Sequence, residues 1–313
     1  MRASSSWLLV PLTTGVCLTC LAGCSGGTGA SGSGTDAAQR PVAASAIPVV
    51  ASTNVYGDIV EQVGAGKVEV TSIISDPDQD PHSYEADTQN QLALTKAEVV
   101  VENGGGYDDF IDRMLKSSDS SAEVINAVEV SGKTAPAGGE LNEHVWYDFP
   151  TTAKLADRIA EALGKVDPSN AATFTKNADD FKAKLKPLQE KEAEIKSDHD
   201  GESVAITEPV PLYMTEASGL RNATPEEFSE AIEEGDDVPP RTMQETLALF
   251  SDKKVEALVY NEQTSGPQTV QVEQAAKSAG IPVVPVTETL PEGMDYVGWM
   301  TANLDALSGA LAK

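Results

Sequence analysis

Three histidines occur in 313 residues, and two of them stand in polar, turn-prone settings rather than on apolar helix faces. His82 lies in Asp80-Pro81-His82-Ser83-Tyr84-Glu85, and His144 in Asn142-Glu143-His144-Val145-Trp146-Tyr147-Asp148. Neutral imidazole is the commonest metal ligand, and a nearby carboxylate can fix its tautomer from behind. A single histidine also serves as an ordinary structural group, so each motif alone leaves both readings open. The third, His199, falls in the acidic run Ser197-Asp198-His199-Asp200 and reads as solvated. A cation shared with the carboxy-terminal half would need carboxylates from there. Glu208 after Ala205-Ile206-Thr207 and Glu288 after Val284-Pro285-Val286-Thr287 are the candidates, with Glu262 a neighbour that could stand in for Glu288. In a chain with 49 acidic residues, each is equally readable as a loop or helix-start carboxylate.

These groups need a scaffold that brings distant segments together. From Ile47 onward, short apolar runs alternate with helical patterns: Val49–Ser52, Val68–Ile74, Ala97–Glu102 and Ala122–Ile125 read as strands, separated by helices near 55–63, 88–96 and 107–116. The style repeats after residue 200, with strands at Ser203–Ile206, Val255–Tyr260 and Pro282–Val286 and helices near 211–218, 225–234, 240–251, 267–279 and 295–311. Such alternation predicts α/β architecture: two lobes, each a mostly parallel sheet flanked by helices. One long helix joins them, from Ala171 to about Lys196, with Phe174, Ala178, Phe181, Leu185, Leu188 and Ile195 on one stripe. Pro187 inside the stripe predicts a bend or a break. Strand-end loops are where open α/β sheets bind ligands, and the four candidates fall on such loops.

The amino-terminal residues predict the compartment. Arg2 precedes an apolar run from Trp7 to Ala22 that ends at Leu21-Ala22-Gly23-Cys24, a lipoprotein signal peptide over 1–23 with lipid on Cys24. All three cysteines, Cys17, Cys20 and Cys24, lie in this stretch, which leaves no thiolate site or disulfide framework for the folded part. Residues 24–45, rich in Gly, Ser, Thr and Ala, read as a flexible tether; 46–166 as the amino-terminal lobe, 167–198 as the linking helix and 199–313 as the carboxy-terminal lobe. A formal charge of −27 argues against nucleic acid or an anionic membrane surface as partner. The run Asn103-Gly104-Gly105-Gly106 lacks the spacing and lysine of a phosphate-binding loop.

Taken together, Asp80-Pro81-His82-Ser83-Tyr84-Glu85, the segment Ala97–Gly104, His144-Val145-Trp146, the long helix and the run Val255–Leu304 resemble the zinc and manganese receptors of ABC importers, the ZnuA/TroA/PsaA type. The resemblance implies metal ligands at His82, His144, Glu208 and Glu288, the last standing where that family usually has Asp. It departs at Asn142-Glu143, where Asp-Pro usually precedes the histidine, and it lacks the His-rich loop of some zinc receptors. It implies a monomeric carrier of Zn2+ or Mn2+, with iron admissible, anchored outside the membrane through Cys24 and serving a permease with its ATPase. Two imidazoles and two carboxylates would match a 2+ ion in charge. Other classes are weaker: a zinc hydrolase would need an open metal position, and the zincin His-Glu-x-x-His spacing is absent. A surface adhesin or organic-solute receptor would share the two-lobe plan, yet 5% aromatic residues supply few anchors for an organic ligand.

Overall fold

The computed structural model describes residues 46–76, 79, 84–85, 87–136 and 139–312. The expected leader, tether and lipidated Cys24 lie outside the described residues, and so does His82. The first half runs β1 (Ile47–Thr53), α1 (Asn54–Gly64), β2 (Val68–Ile74), α2 (Thr88–Lys96), β3 (Val99–Glu102), α3 (Asp109–Lys116), β4 (Glu123–Asn126) and α4 (Ala127–Ser131). A 3₁₀ turn at Val145–Tyr147 then leads into α5 (Phe149–Val166). After α6 (Ala171–His199) come β5 (Ser203–Ile206), α7 (Leu212–Ala217), β6 (Arg221–Asn222), α8 (Glu226–Glu233) and α9 (Pro240–Ser251). The chain closes with β7 (Ala257–Asn261), α10 (Pro267–Ala279), β8 (Val283–Val286) and α11 (Tyr296–Leu311).

Each lobe holds one four-stranded parallel sheet, ordered β2-β1-β3-β4 in the first and β6-β5-β7-β8 in the second. This is the two-lobe α/β plan that the alternation of elements predicts. Interior strands bury their residues on both faces because helices cover both: Val99, Val100 and Val101 of β3 are fully buried, as is the whole of β7. At the sheet's edge, β2 instead alternates between half-buried and exposed positions from Val68 to Ser72 before ending on buried Ile73 and Ile74. Pro285 is tolerated in β8 because that strand is also an edge.

The sequence reading assigns no element to 149–166, where α5 forms. Its stripe is diluted by Ala153, Ala156, Ala160 and Ala162, which weakens the periodic signal, while its cap is plain in three dimensions. The Asp148 carboxylate accepts from Thr151 N–H at 2.9 Å, and Pro150 sits in the first turn.

Between the lobes α6 runs unbroken for 29 residues, about 43 Å at 1.5 Å per residue. Pro187 does not divide it. A proline inside a helix costs about 3 kcal/mol, and the buried side chains on either side, Leu185 and Leu188 among them, offset that locally, each contributing roughly 1.5–3 kcal/mol when taken out of water. One core cluster passes through both lobes by way of this helix, joining Val101 and Ile125 to Phe174 and Phe181, and these to Val259 and Trp299.

Candidate metal centre

His144 is fully buried at the start of the 3₁₀ turn, seated against the rings of Tyr107 at 5.8 Å and Trp146 at 5.1 Å between centroids. Asn142 orients it. The Asn142 Oδ1 accepts from the His144 backbone N–H at 3.0 Å and lies 2.8 Å from ring Nδ1. An atom that accepts from an N–H is the amide oxygen, so Nδ1 carries the proton and donates to it, and Nε2 presents its lone pair. That nitrogen points at two carboxylates of the second lobe, Glu233 Oε1 at 3.6 Å and Glu288 Oε2 at 3.9 Å.

The loop carrying His144 is tied to both lobes. From the first, Asn103 at the end of β3 donates to the Glu143 carbonyl at 3.0 Å and accepts from Tyr56. Asp108 holds that turn by accepting from Asn103 N–H at 2.6 Å and Gly104 N–H at 2.8 Å. Gly104 adopts φ +78°, and a Cβ there would stand 2.1 Å from the Asn126 side chain, so only glycine fits. From the second lobe, Pro209 accepts from Asn142 Nδ2 at 3.0 Å, Tyr213 donates to the Asn142 carbonyl at 2.6 Å, and the Thr287 carbonyl accepts from Tyr147 at 2.7 Å.

Glu208 and Glu288, 3% and 4% exposed, follow β5 and β8 directly. Asn261 at the end of β7 links the two loops: its N–H donates to Thr207 Oγ1 at 2.9 Å and its Nδ2 to Glu288 Oε1 at 2.8 Å. Gln263 Oε1 accepts from the N–H groups of Glu288 and Thr289 at 2.5 and 3.1 Å. Glu288 thus presents Oε2 toward His144 while Oε1 is held. These loops sit at the carboxyl ends of β5, β7 and β8, where the strand order reverses, the usual binding position of an open parallel sheet.

Two carboxylates join them that the motifs do not announce. Among the described residues, Glu143, His144 and Glu233 each offer a ligand atom, all within 4.8 Å of one another. Burial pushes the Glu233 carboxyl up to about 9, with the charges of Glu143, Glu208 and Glu288 adding to the effect. Glu143 is raised to about 7, again chiefly by burial, with the charge of Glu140 adding. Several negative groups around one imidazole are costly to bring together without a positive charge between them. A cleft of about 960 Å³ opens onto them, lined by Glu143, Glu208, Glu233 and Thr264.

Of the four residues expected from the sequence, His144 and Glu288 face each other, Glu208 is close enough for its charge to act on Glu233, and His82 lies outside the described residues. Glu262 is exposed, unlike Glu288. His199 is half-buried at the end of α6, its Nδ1 3.0 Å from Glu202, away from the cleft. Glu233 escaped the sequence reading because it belongs to the exposed-looking acidic helix 226–233, whose only legible signal was amphipathicity. Asn142, one of the two residues at which the chain departs from the family's Asp-Pro, is the residue that orients the ring.

The sequence matches the zinc-uptake complex component A periplasmic family over residues 49–310. Among curated relatives, the manganese-binding lipoprotein MntA of Bacillus subtilis is 26% identical, covering 90% of this chain and 94% of that protein. The manganese ABC transporter substrate-binding lipoprotein scaA of Streptococcus gordonii is also 26% identical, over 86% of this chain and 90% of its own. The SBP FpvC of Pseudomonas aeruginosa, solved in complex with Mn2+, shares the fold at a TM-score of 0.72 and 23% identity, over 85% of this chain and 98% of that one. The crystal structure of ZnuA superposes at a TM-score of 0.70 with 20% identity, over 85% and 98% of the two chains. With the match spanning both lobes and the helix between them, the chain belongs to the zinc-uptake complex component A family.

Proposed function

We propose that the protein captures a divalent transition-metal ion, Mn2+ or Zn2+, in the interlobe cleft and delivers it to an ABC permease driven by a separate ATPase. His144, Glu208 and Glu288 hold the ion, with His82, which follows β2 in the sequence, as the remaining imidazole. Lipid on Cys24 keeps the carrier at the outer face of the membrane, where it works as a monomer. It carries out binding and release and makes or breaks no covalent bond in its cargo. The observation that carries this reading is the His144 Nε2 lone pair directed at carboxylate oxygens from the opposite lobe, 3.6 and 3.9 Å away. Donors about 2.1 Å from a common ion stand roughly 3.4 Å apart at tetrahedral angles, so a small closure brings them onto one ion. Ligation from both lobes favours the closed arrangement, while the core shared through α6 limits the amplitude of closure.

The test is elemental analysis of the purified protein after exposure to equimolar Mn2+ and Zn2+ and dialysis, with His144→Ala alongside. The wild type should retain about one ion per chain, the ligand set of a single site, and the variant almost none, with its circular dichroism unchanged. Equal metal content in the two proteins refutes the assignment.

A further inference from the structure

Glu233 enters the site from a helix, whereas the other second-lobe carboxylates come from loops after strands. Its Oε1 is nearer to His144 Nε2 than Glu288 Oε2 is, 3.6 Å against 3.9 Å. At 3.6 Å the contact is longer than a hydrogen bond, yet it matches the roughly 3.4–3.6 Å between two donors bonded to one ion at tetrahedral or slightly wider angles. Glu143 joins the pair, the ligand atoms of Glu143, His144 and Glu233 all lying within 4.8 Å of one another.

A second feature of α8 supports the same conclusion independently. The helix begins well, with Glu226 and Glu227 in the first turn, where negative charge is favoured. It ends badly: Glu233 is its last residue, Glu234 follows, and no basic side chain stands in the last turn, although the carbonyl end of a helix disfavours carboxylates. Phe228 and Ile232 are buried and fix which way the helix faces, which sets Glu233 toward the cleft. A cation in the cleft would relieve this end of the helix as well as the carboxylates around it.

We infer that Glu233 is an additional carboxylate ligand of the captured ion and the residue that shifts selection toward a hard, oxygen-preferring cation, Mn2+ over Zn2+. This rests on the metal-capture reading above. Zn2+ is satisfied by four ligands in a tetrahedron, and a further oxygen gives it little. Mn2+ favours carboxylate and other oxygen donors at higher coordination number, and gains more from a fifth ligand.

The metal-stripped protein, titrated separately with Mn2+ and Zn2+ against a competing chelator, tests this in the wild type, Glu233→Gln, Glu233→Asp and His144→Ala. Glu233→Gln should weaken Mn2+ binding by about tenfold or more, the scale on which losing a group that supports a metal site is felt, and Zn2+ binding by less than about threefold. Glu233→Asp, which keeps the charge on a shorter arm, should recover part of the Mn2+ affinity. Loading with Co2+ gives a readout that a purely structural role would not move: weak visible absorption in the wild type, rising toward the intense tetrahedral bands in Glu233→Gln. Wild-type Mn2+ affinity and an unchanged Co2+ spectrum in Glu233→Gln, with both ions lost in His144→Ala, overturn the role of Glu233 and leave the site intact. Equal weakening of both ions with an unchanged spectrum also overturns it, because the residue then acts through charge alone. Wild-type binding in His144→Ala refutes the metal-capture reading itself.

Discussion

Replacing Glu192 by glutamine should make this protein more stable at neutral pH, by an amount that follows from one buried carboxyl. Glu192 lies on the inward stripe of α6 between Leu188 and Ile195 and is 6% exposed. Burial, with the charge of Asp148 adding, pushes its carboxyl up to about 8 from an ordinary 4.5, and its own charge in turn raises the Tyr296 phenol. Below about pH 4.5 the group is protonated in both folded and unfolded chains, and its contribution to stability is fully present. As pH rises toward 8 the unfolded chain ionises while the folded one holds its proton, so stability is lost across that window at about 1.4 kcal/mol per pH unit. At pH 7 the accumulated cost is about 3 kcal/mol. Glutamine keeps the shape without the titration. Denaturant unfolding should therefore find wild type and Glu192→Gln within about 1 kcal/mol of each other at pH 5 and separated by about 3 kcal/mol, variant higher, at pH 7. The melting temperature at pH 7 should rise by about 5–10 °C in a chain of this size. Parallel pH profiles for the two proteins would show that Glu192 ionises normally in the folded state and refute the argument.

Two further substitutions probe how the site is held. Asn142→Ala removes the oxygen that fixes the His144 tautomer, and metal affinity in a chelator competition should fall about 10- to 100-fold with the fold retained; wild-type affinity would mean that the ring is oriented by something else. Asn54 at the start of α1 clamps the segment just beyond Glu288, donating to the Leu290 carbonyl at 3.1 Å and accepting from its N–H at 2.9 Å. Asn54→Ala should lower unfolding free energy by about 1–3 kcal/mol, the worth of two largely shielded hydrogen bonds, and an unchanged denaturation midpoint would contradict that.

Much of the fold was legible because it is written in local periodicity. The buried Val99–Val101 run, the strand at Val68–Ile74 and the stripe of α6 reflect which faces must leave water, and burial patterns of that kind recur every two or every three to four residues. Even within α6 the reading was incomplete: Glu192 fills the position between Leu188 and Ile195, so the stripe is continuous in space where it seemed to lapse in sequence. α5 escaped because alanine buries as well as leucine in a tight helix pair but carries a faint hydrophobic signal.

For the site, residue type and setting made His144, Glu208 and Glu288 candidates, each equally readable as an ordinary structural group among 49 acidic residues and three histidines, and the family resemblance was what joined them into one ligand set. The sequence by itself thus determined the two-lobe α/β plan and most of its strands and helices, with α4, α5 and β6 left unassigned. Tertiary structure alone decided that Glu233, from an unremarked acidic helix, approaches His144 more closely than Glu288 does, and that Asn142 holds the ring. Periodicity reports which side of an element faces inward, whereas the distance between two side chains 89 positions apart depends on how whole lobes pack, a sum over many contacts that no local pattern encodes.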